Sequence, residues 1–168
     1  DLFKIKRVII STYQSTSGAG KAPMDELLEQ TKLSLESKKI VSKNFTKQIA
    51  FNAIPHIDMF ADEGYTKEEL KMVNETKKIL DKNIEITATC VRIPVLVSHA
   101  ESINIEFENE FTIEKIHNAL NTAEGCVVID ERKDGGYITP LEAEGKNETF
   151  ISRIRKDNSN NKAVNLWC

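Results

Sequence analysis

Two neighbouring segments decide the fold: residues 84–91, with the sequence IEITATCV, and residues 95–107, with the sequence VLVSHAESINIEF. Both alternate between apolar side chains and smaller or polar ones, which is the pattern of half-buried β-strands. The apolar faces carry Ile84, Ile86, Ala88 and Cys90 in the first segment and Val95, Val97, Ile103, Ile105 and Phe107 in the second.

Shorter β-branched or apolar runs on either side predict further strands. These runs occupy residues 6–11, 127–129, 150–151 and 164–166. Residues 49–54 form another apolar stretch, which Pro55 ends.

Three segments between the strands carry helical signals. Apolar residues from Met24 to Leu35 recur at helical spacing. Thr66 and Glu69 form a Thr-x-x-Glu capping box, which predicts a helix that continues to about Leu80. A shorter helix is expected from Thr112. Strands with helices between them predict an α+β domain, in which helices pack on one face of a mixed β-sheet.

Composition places the chain among globular proteins with one domain. Its 168 residues, 40% hydrophobic and 29% charged, are enough for a sizeable core. The net charge of -3 comes from interspersed charges, so neither nucleic acid nor an anionic membrane is indicated as a partner. No apolar run is long enough to span a bilayer. Three cysteines without metal-ligand spacing fit reduced thiols in the cytoplasm, and no metal site is expected.

His99 and Arg92 break the local pattern. His99 shares the apolar register of residues 95–107, and Glu101 interrupts the same face. A buried polar group needs a partner or a purpose, so His99 is a satisfied core histidine, a marker of a bulge, or a functional residue. Arg92 continues the apolar parity of residues 84–91. Its planar guanidinium can bind a carboxylate or phosphate at two points. The alternative interpretation is an arginine that reaches solvent from a strand end.

Weaker signals lie elsewhere. Glu68 and Lys71 belong to one charged side of the predicted second helix, where a solvated ion-pair face is the ordinary interpretation. The small residues 17–20 precede the first helix and could receive an anion on backbone N–H groups, although a tight turn explains them equally well. Gln14 has no meaning from pattern alone. Cys90, Cys126 and Cys168 are expected to be small buried side chains rather than nucleophiles.

Several stretches together resemble the aspartate-semialdehyde dehydrogenase family. The most specific are residues 13–20, YQSTSGAG, and residues 90–99, CVRIPVLVSH. Others are FNAIPHID at residues 51–58, EELK at 68–71, TPL at 139–141 and RIR at 153–155. The resemblance covers nearly the whole chain and implies the C-terminal catalytic domain of the glyceraldehyde-3-phosphate-dehydrogenase type.

The family carries out NADP-dependent reductive dephosphorylation of aspartyl phosphate, in the biosynthesis of lysine, threonine, methionine and diaminopimelate. A cysteine forms a thioester that hydride then reduces. The resemblance implies that a histidine is the acid/base residue, that an arginine holds the substrate carboxylate, and that a glutamate holds its ammonium group. It also implies contacts to phosphate, to the reacting centre and to the cofactor. By this resemblance His99 is the acid/base residue, Arg92 binds the carboxylate and Glu68 binds the ammonium group. Lys71 contacts the phosphate and Gln14 orients the reacting centre. Ser17 and Gly18 contact NADP.

The resemblance also indicates what residues 1–168 lack. The family's nucleophilic cysteine, its nucleotide-binding domain and its final helix are expected outside this stretch, which suggests a chain cut at both ends and inactive alone. The family often has Gly-His-Ser where this chain has Ser98-His99-Ala100, and a glycine at Ser152.

Two alternatives and one partner complete the expectations. An acyl-phosphate reductase of the N-acetyl-glutamyl-phosphate type is the enzymatic alternative, and Glu68 discriminates because an acetylated substrate has no ammonium group. A non-catalytic dimerisation module is the other. A homodimer through the sheet is expected, with a small-molecule substrate and phosphate as ligands.

Overall fold

Six strands form one mixed sheet in the computed structural model, which describes residues 2–168. The spatial order is β2-β1-β3-β6-β5-β4. β1 and β2 are parallel, as are β4 and β5, whereas the other neighbours are antiparallel. The strands are β1 Ile5–Gln14, β2 Glu85–Arg92, β3 Ala100–Phe107, β4 Cys126–Val128, β5 Thr149–Lys156 and β6 Ala163–Trp167.

In the described part of the chain four α-helices connect the strands: α1 Lys21–Leu35, α2 Lys67–Ile79, α3 Ile113–Asn121 and the short α4 Pro140–Ala143. Short 3₁₀ turns cover Thr16–Ala19 and Asp62–Gly64. None of the helices within residues 2–168 combines the length and apolar character needed to cross a membrane.

The helices α2 and α3 lie on the same face of the sheet. Met72 of α2 and Ile116 of α3 belong to two buried clusters, and both clusters include Ile103 and Ile105 of β3. Because alternate residues of a strand point to opposite faces, one face of β3 serves both helices. The predicted fold class, an α+β domain with helices on one face of a mixed sheet, is confirmed.

Helix starts agree with the sequence signals. The Thr66 side chain accepts from the Glu69 N–H, and the Glu69 carboxylate accepts from the Thr66 N–H, which completes the predicted capping box. Thr112 caps α3 in the same manner through the Lys115 N–H. Such caps satisfy backbone N–H groups that have no partner within the helix.

The strand predicted over residues 95–107 begins later in the structure than predicted. β3 begins only at Ala100, and Ser98 has a φ of 70°, in the left-handed region that ends extended structure. The Val95 N–H donates to the Ile93 carbonyl, so the chain turns directly after Pro94. His99 therefore lies in a loop at the sheet edge and does not share the apolar register of β3.

A buried pair of polar side chains fixes the long segment between α1 and residue 54. Glu26 accepts from the N–H groups of Lys43 and Asn44, at 2.9 Å and 2.6 Å. Gln30 accepts from the N–H groups of Ile49 and Ala50, at 2.8 Å and 3.2 Å. Within residues 2–168 this segment joins the sheet only through a bridge between Ile54 and Arg92, so side chains satisfy backbone N–H groups that no strand pairing reaches, including the buried ones of Ile49 and Ala50.

Candidate active site

The sheet topology brings the ends of three segments together at one end of the strands, which is the sheet edge that carries the site. β1 and β2 are parallel, and their last residues, Gln14 and Arg92, are register partners. β3 is antiparallel to β1, and its first residue Ala100 pairs with Tyr13. His99, which precedes β3, therefore stands at the same edge as Gln14 and Arg92.

Ser15 fixes the imidazole of His99. The Ser15 N–H donates to Nδ1 of His99 at 3.2 Å, and the Ser15 hydroxyl lies 3.0 Å from the same atom. Ser15 is fully buried, and its hydroxyl also lies 3.0 Å from that of Ser17. Burial, and then the nearby charge of Arg92, lower the pKa of His99 below its usual value of 6.5.

Arg92 is buried, with only 7% of its surface exposed, so the interpretation of an arginine reaching solvent from a strand end is wrong. Its guanidinium donates to the Ser15 carbonyl oxygen, and burial lowers the pKa of the guanidinium. No carboxylate among residues 2–168 forms an ion pair with it. A buried cation of this kind is suited to an incoming anion.

Glu68 joins the first turn of α2 to the strand edge. Its Oε1 accepts from the Gln14 side-chain amide at 3.2 Å, and its Oε2 lies 3.7 Å from Nζ of Lys71. Lys71 is 57% exposed, whereas Gln14 is buried. Glu68 thus contacts the amide of Gln14, the register partner of Arg92, and lies beside the exposed cation of Lys71. Glu68 and Lys71 thus differ from the other charged residues of α2 by their position at the sheet edge.

Gly18 leaves room beside the imidazole. A Cβ atom at this position would lie 3.1 Å from Nε2 of His99 and 3.4 Å from Nη1 of Arg92. Gly18 is exposed and Ser17 is half-buried within the Thr16–Ala19 turn. The turn therefore approaches His99 and Arg92 at Gly18, a residue that has no side chain.

His99 also lines a second concavity. A cavity of about 240 Å³ lies between His99, Thr139, Lys146 and Trp167. Thr139 belongs to the Thr-Pro-Leu stretch that contributed to the family resemblance. The structure thus places that stretch next to the candidate base, at the start of α4.

The cysteines lack the environment of a nucleophile. Cys90 is fully buried within β2, and burial raises the pKa of its thiol to about 11. Burial likewise raises the pKa of Cys168 to about 11. A nucleophilic thiolate requires a lowered pKa, so neither residue suits the role. Cys126 is half-buried at the start of β4, away from the strand ends described above. Residues 2–168 contain no group of three or more potential metal ligands.

Two residues of the site make long-range contacts that had no signal in the sequence. Ser15 was visible only as one letter of the YQSTSGAG stretch, yet it contacts both His99 and Arg92. Glu69 was predicted as half of a capping box, but its carboxylate also accepts from the Cys90 N–H at 3.1 Å. Neither contact is local in sequence, so hydrophobic periodicity could not indicate it.

Comparison with known proteins places the chain in a family of dimerisation domains. The chain belongs to the family described as "Semialdehyde dehydrogenase, dimerisation domain", whose model matches residues 1–168.

Named relatives specify the family further. An aspartate-semialdehyde dehydrogenase of Campylobacter jejuni is 48% identical over 170 residues, which cover 100% of this chain and 50% of the relative. One of Aquifex aeolicus is 48% identical over 165 residues, with coverages of 97% and 48%. A crystal structure of aspartate semialdehyde dehydrogenase II of Vibrio cholerae, described as complexed with ASA, matches at a TM-score of 0.94 and 41% identity. The match covers 98% of this chain and 49% of the Vibrio cholerae chain. The chain thus spans about half the length of these relatives.

Proposed function

We propose that this chain is the substrate-binding and dimerisation half of an NADP-dependent aspartate-semialdehyde dehydrogenase. That enzyme converts L-aspartyl 4-phosphate into L-aspartate 4-semialdehyde with release of phosphate, in the biosynthesis of lysine, threonine, methionine and diaminopimelate. One observation carries the proposal: Arg92, Glu68, Lys71 and His99 meet at one sheet edge although they come from separate segments. The names of the relatives support the same activity.

The charges at the edge complement the substrate. The Arg92 fork would bind the α-carboxylate, because the guanidinium presents parallel N–H donors in the plane of a carboxylate. Glu68 would accept from the α-ammonium group. Lys71, exposed and free to extend, would reach the phosphate. Oε2 of Glu68 lies 3.7 Å from Nζ of Lys71, so the substrate ammonium would compete with that cation for the carboxylate.

His99 would be the acid/base residue. Its lowered pKa keeps the imidazole neutral near pH 7, and Ser15 fixes the ring orientation at Nδ1. Nε2 is the ring atom nearest Gly18 and therefore the one that would exchange a proton with the reacting group. Gln14 would orient the same group by hydrogen bonding from the neighbouring strand end.

The turn at Ser17 and Gly18 fits the nicotinamide end of NADP. A flat ring approaching His99 needs the space that a side chain at position 18 would fill, and the backbone of Gly18 leaves it free. The hydroxyl of Ser17, half-buried, would contribute one hydrogen bond. NADP supplies the hydride for the reduction, and its other contacts are assigned to the nucleotide-binding half.

The test is an assay of the full-length protein with aspartate semialdehyde, phosphate and NADP. We expect phosphate-dependent reduction of NADP, and Glu68→Gln should raise KM for the semialdehyde because it removes the charge opposite the ammonium group. Lys67→Gln, a charge change at an exposed neighbour on α2, is the control. Activity with the N-acetylated glutamate analogue instead would favour the alternative reductase, and no activity with either would favour a non-catalytic module.

Residues 1–168 alone are proposed to have no dehydrogenase activity and to bind NADP weakly. Neither Cys90 nor Cys168 suits the covalent step, since the pKa of each is raised to about 11. Two residues at the nicotinamide end would have to offset a loss of freedom of roughly 4–15 kcal/mol. Calorimetry on purified residues 1–168 tests this, and micromolar NADP affinity or semialdehyde turnover would contradict it.

We also infer that two copies of this domain form a homodimer through the face of the sheet opposite α2 and α3. The family description, a dimerisation domain, supports a dimer. On that face Ser102 of the central strand β3 is exposed, and Tyr13 packs against Trp167 at a ring-centroid distance of 5.3 Å. An exposed position on the outer face of a central strand is suited to contact with a second copy.

A further inference from the structure

The carboxylate of Glu69 connects two elements of the candidate active site. Its Oε2 accepts from the Thr66 N–H at 2.8 Å, within the first turn of α2. Its Oε1 accepts from the Cys90 N–H at 3.1 Å, in β2. Only 8% of the residue is exposed, so both hydrogen bonds are shielded from water. One buried side chain therefore holds the start of α2 against the end of β2.

The amide of Cys90 is available because β2 is an edge strand. Among the described residues β1 is its only neighbouring strand, and on its other side it forms a single bridge, between Arg92 and Ile54. Two backbone groups on that side are satisfied near the site: the Cys90 N–H by Glu69, and the Arg92 N–H by the Ile54 carbonyl at 2.8 Å. The helix is thus attached to β2 two residues before Arg92.

Adjacent positions on α2 face different parts of the site. Successive residues of an α-helix are about 100° apart around its axis, so Glu68 can reach Gln14 while Glu69 reaches β2. Met72, one turn further along, packs against the cluster of Val8, Ile10 and Ala88 and holds the same side of the helix on the sheet. A shift of α2 by one residue would move Glu68 by about 1.5 Å along the helix axis.

We propose that Glu69 is a positioning residue, which fixes the separation of Glu68 from Arg92 and so sets the preference for substrates that carry an ammonium group. The inference rests on the proposed function. In aspartate derivatives the ammonium and carboxylate groups are bonded to the same carbon, so their two binding residues must keep a fixed separation. Binding sites of this kind tolerate displacements of about 0.5 Å. The hydrogen bond from Cys90 to Glu69 joins the helix that carries Glu68 directly to the strand that carries Arg92.

The test compares two substrates in the full-length enzyme. Succinate semialdehyde has the carboxylate and aldehyde of aspartate semialdehyde but lacks the ammonium group. We expect Glu69→Ala to raise KM for aspartate semialdehyde about tenfold and to leave kcat/KM for succinate semialdehyde within about twofold of its original value. Glu69→Gln should recover part of the preference, because its amide oxygen still accepts from the Cys90 N–H while its NH₂ group cannot accept from Thr66.

A matched control is Glu26→Gln. Glu26 is also a buried helical carboxylate that accepts from two backbone N–H groups, but those groups belong to residues 43 and 44. This variant should lose stability and keep the substrate preference. Hydrogen exchange at the Cys90 amide provides a second readout that needs no turnover, and exchange should accelerate in Glu69→Ala.

The outcomes separate the two proposals. If the unaltered enzyme shows no phosphate-dependent turnover of aspartate semialdehyde, the proposed function fails and this inference fails with it. If the enzyme is active but Glu69→Ala lowers kcat/KM for both semialdehydes by the same factor, the role of Glu69 is only structural and the inference alone is overturned. Should Glu69→Ala not fold, Glu69→Gln is judged by the same criterion.

Discussion

The Ser15 backbone N–H and the Ser15 hydroxyl both meet Nδ1 of His99, at 3.2 Å and 3.0 Å. An amide N–H can only donate, so Nδ1 accepts and the neutral ring carries its proton on Nε2, next to Gly18. Protonation of Nδ1 would oppose the amide and leave the Ser15 hydroxyl as the only acceptor. The contact therefore favours the neutral imidazole, in agreement with the lowered pKa of His99.

The first prediction is that His99 titrates below 6.5 and that Arg92→Met raises its pKa. Burial is the larger cause of the low pKa, and the positive charge of Arg92 is the second. Removing that charge makes the imidazolium less unfavourable, whereas Arg92→Lys keeps a cation and should keep most of the depression. Ring chemical shifts in an NMR titration measure the pKa, and His99→Gln assigns the resonance among three histidines.

The same shift has a consequence for stability. The unfolded chain binds the proton near pH 6.5, whereas the folded chain binds it only at lower pH. The His99 contribution to stability is therefore fully present above pH 6.5 and is lost as the pH falls below that value. Replacement by Gln should make the free energy of unfolding less sensitive to acid below pH 6.5. Equal acid sensitivity of the two proteins would contradict a depressed pKa.

The sequence predicted the elements better than their ends. The apolar faces of β2 and β3 and the capping box at Thr66 were visible because their patterns are local. The stretch from Val95 to His99 alternates like a strand, but Val95 turns back onto Ile93 and Ser98 takes a φ of 70°. That conformation is most easily adopted by glycine, the residue the family often has there, and a short-period pattern does not reveal it.

The site was predictable as a set of residues but not as a geometry. Resemblance supplied Gln14, Glu68, Lys71, Arg92 and His99, and the fold brings them together through pairings far apart in sequence. The parallel register of Gln14 with Arg92 joins residues 78 positions apart, which no periodicity can encode. The buried contacts of Ser15 and Glu69 follow from the same long-range pairings.

A second prediction concerns Gly18. A Cβ atom at this position would come within 3.1 Å of Nε2 and 3.2 Å of Cε1 of His99, closer than ordinary contact. Gly18→Ala should displace the imidazole and lower kcat of the full-length enzyme by on the order of ten- to a hundredfold, with the fold intact. Steady-state kinetics and circular dichroism measure the two effects. Ala19→Ser, at the next exposed position of the turn, is the control, and equal kcat values for the two variants would refute the steric argument.

The third prediction is that Glu26→Leu destabilises the protein far more than Asp25→Ala. Glu26 accepts from two backbone N–H groups, an Asn44 amide and a Gln30 amide, and it is 5% exposed. Removing its oxygens leaves the buried Gln30 amide and the part-buried donors of residues 43 and 44 without this acceptor, at a cost of about 1–3 kcal/mol. Asp25, next to it on α1, forms only an exposed pair with Lys21, worth less than about 1 kcal/mol. Urea denaturation compares the variants, and a difference below about 1 kcal/mol would contradict the role of Glu26.

The last prediction is that the protein is a two-fold dimer and that Ser102→Arg makes it monomeric. The face opposite α2 and α3 holds Tyr13 packed on Trp167, and Ser102, the register partner of Trp167, is exposed there. The indole Nε1 donates to the Ile138 carbonyl at 3.2 Å, so Trp167 is fixed in place before any partner binds. A preordered aromatic pair loses little side-chain freedom on association. We expect the dimer interface to bury well over about 1,000 Å² in total.

Ser102 stands on the same face of the central strand β3 and is exposed. In a two-fold dimer through this face, an arginine here would be desolvated near its counterpart from the other copy, and the two charges would repel. Asn121→Arg introduces the same charge at the exposed end of α3, on the covered side of the sheet, and should leave the dimer intact. Light scattering across a wide concentration range measures the mass of each variant. A dimeric Ser102→Arg protein would place the contact elsewhere, because both copies of the variant carry the added charge on this face.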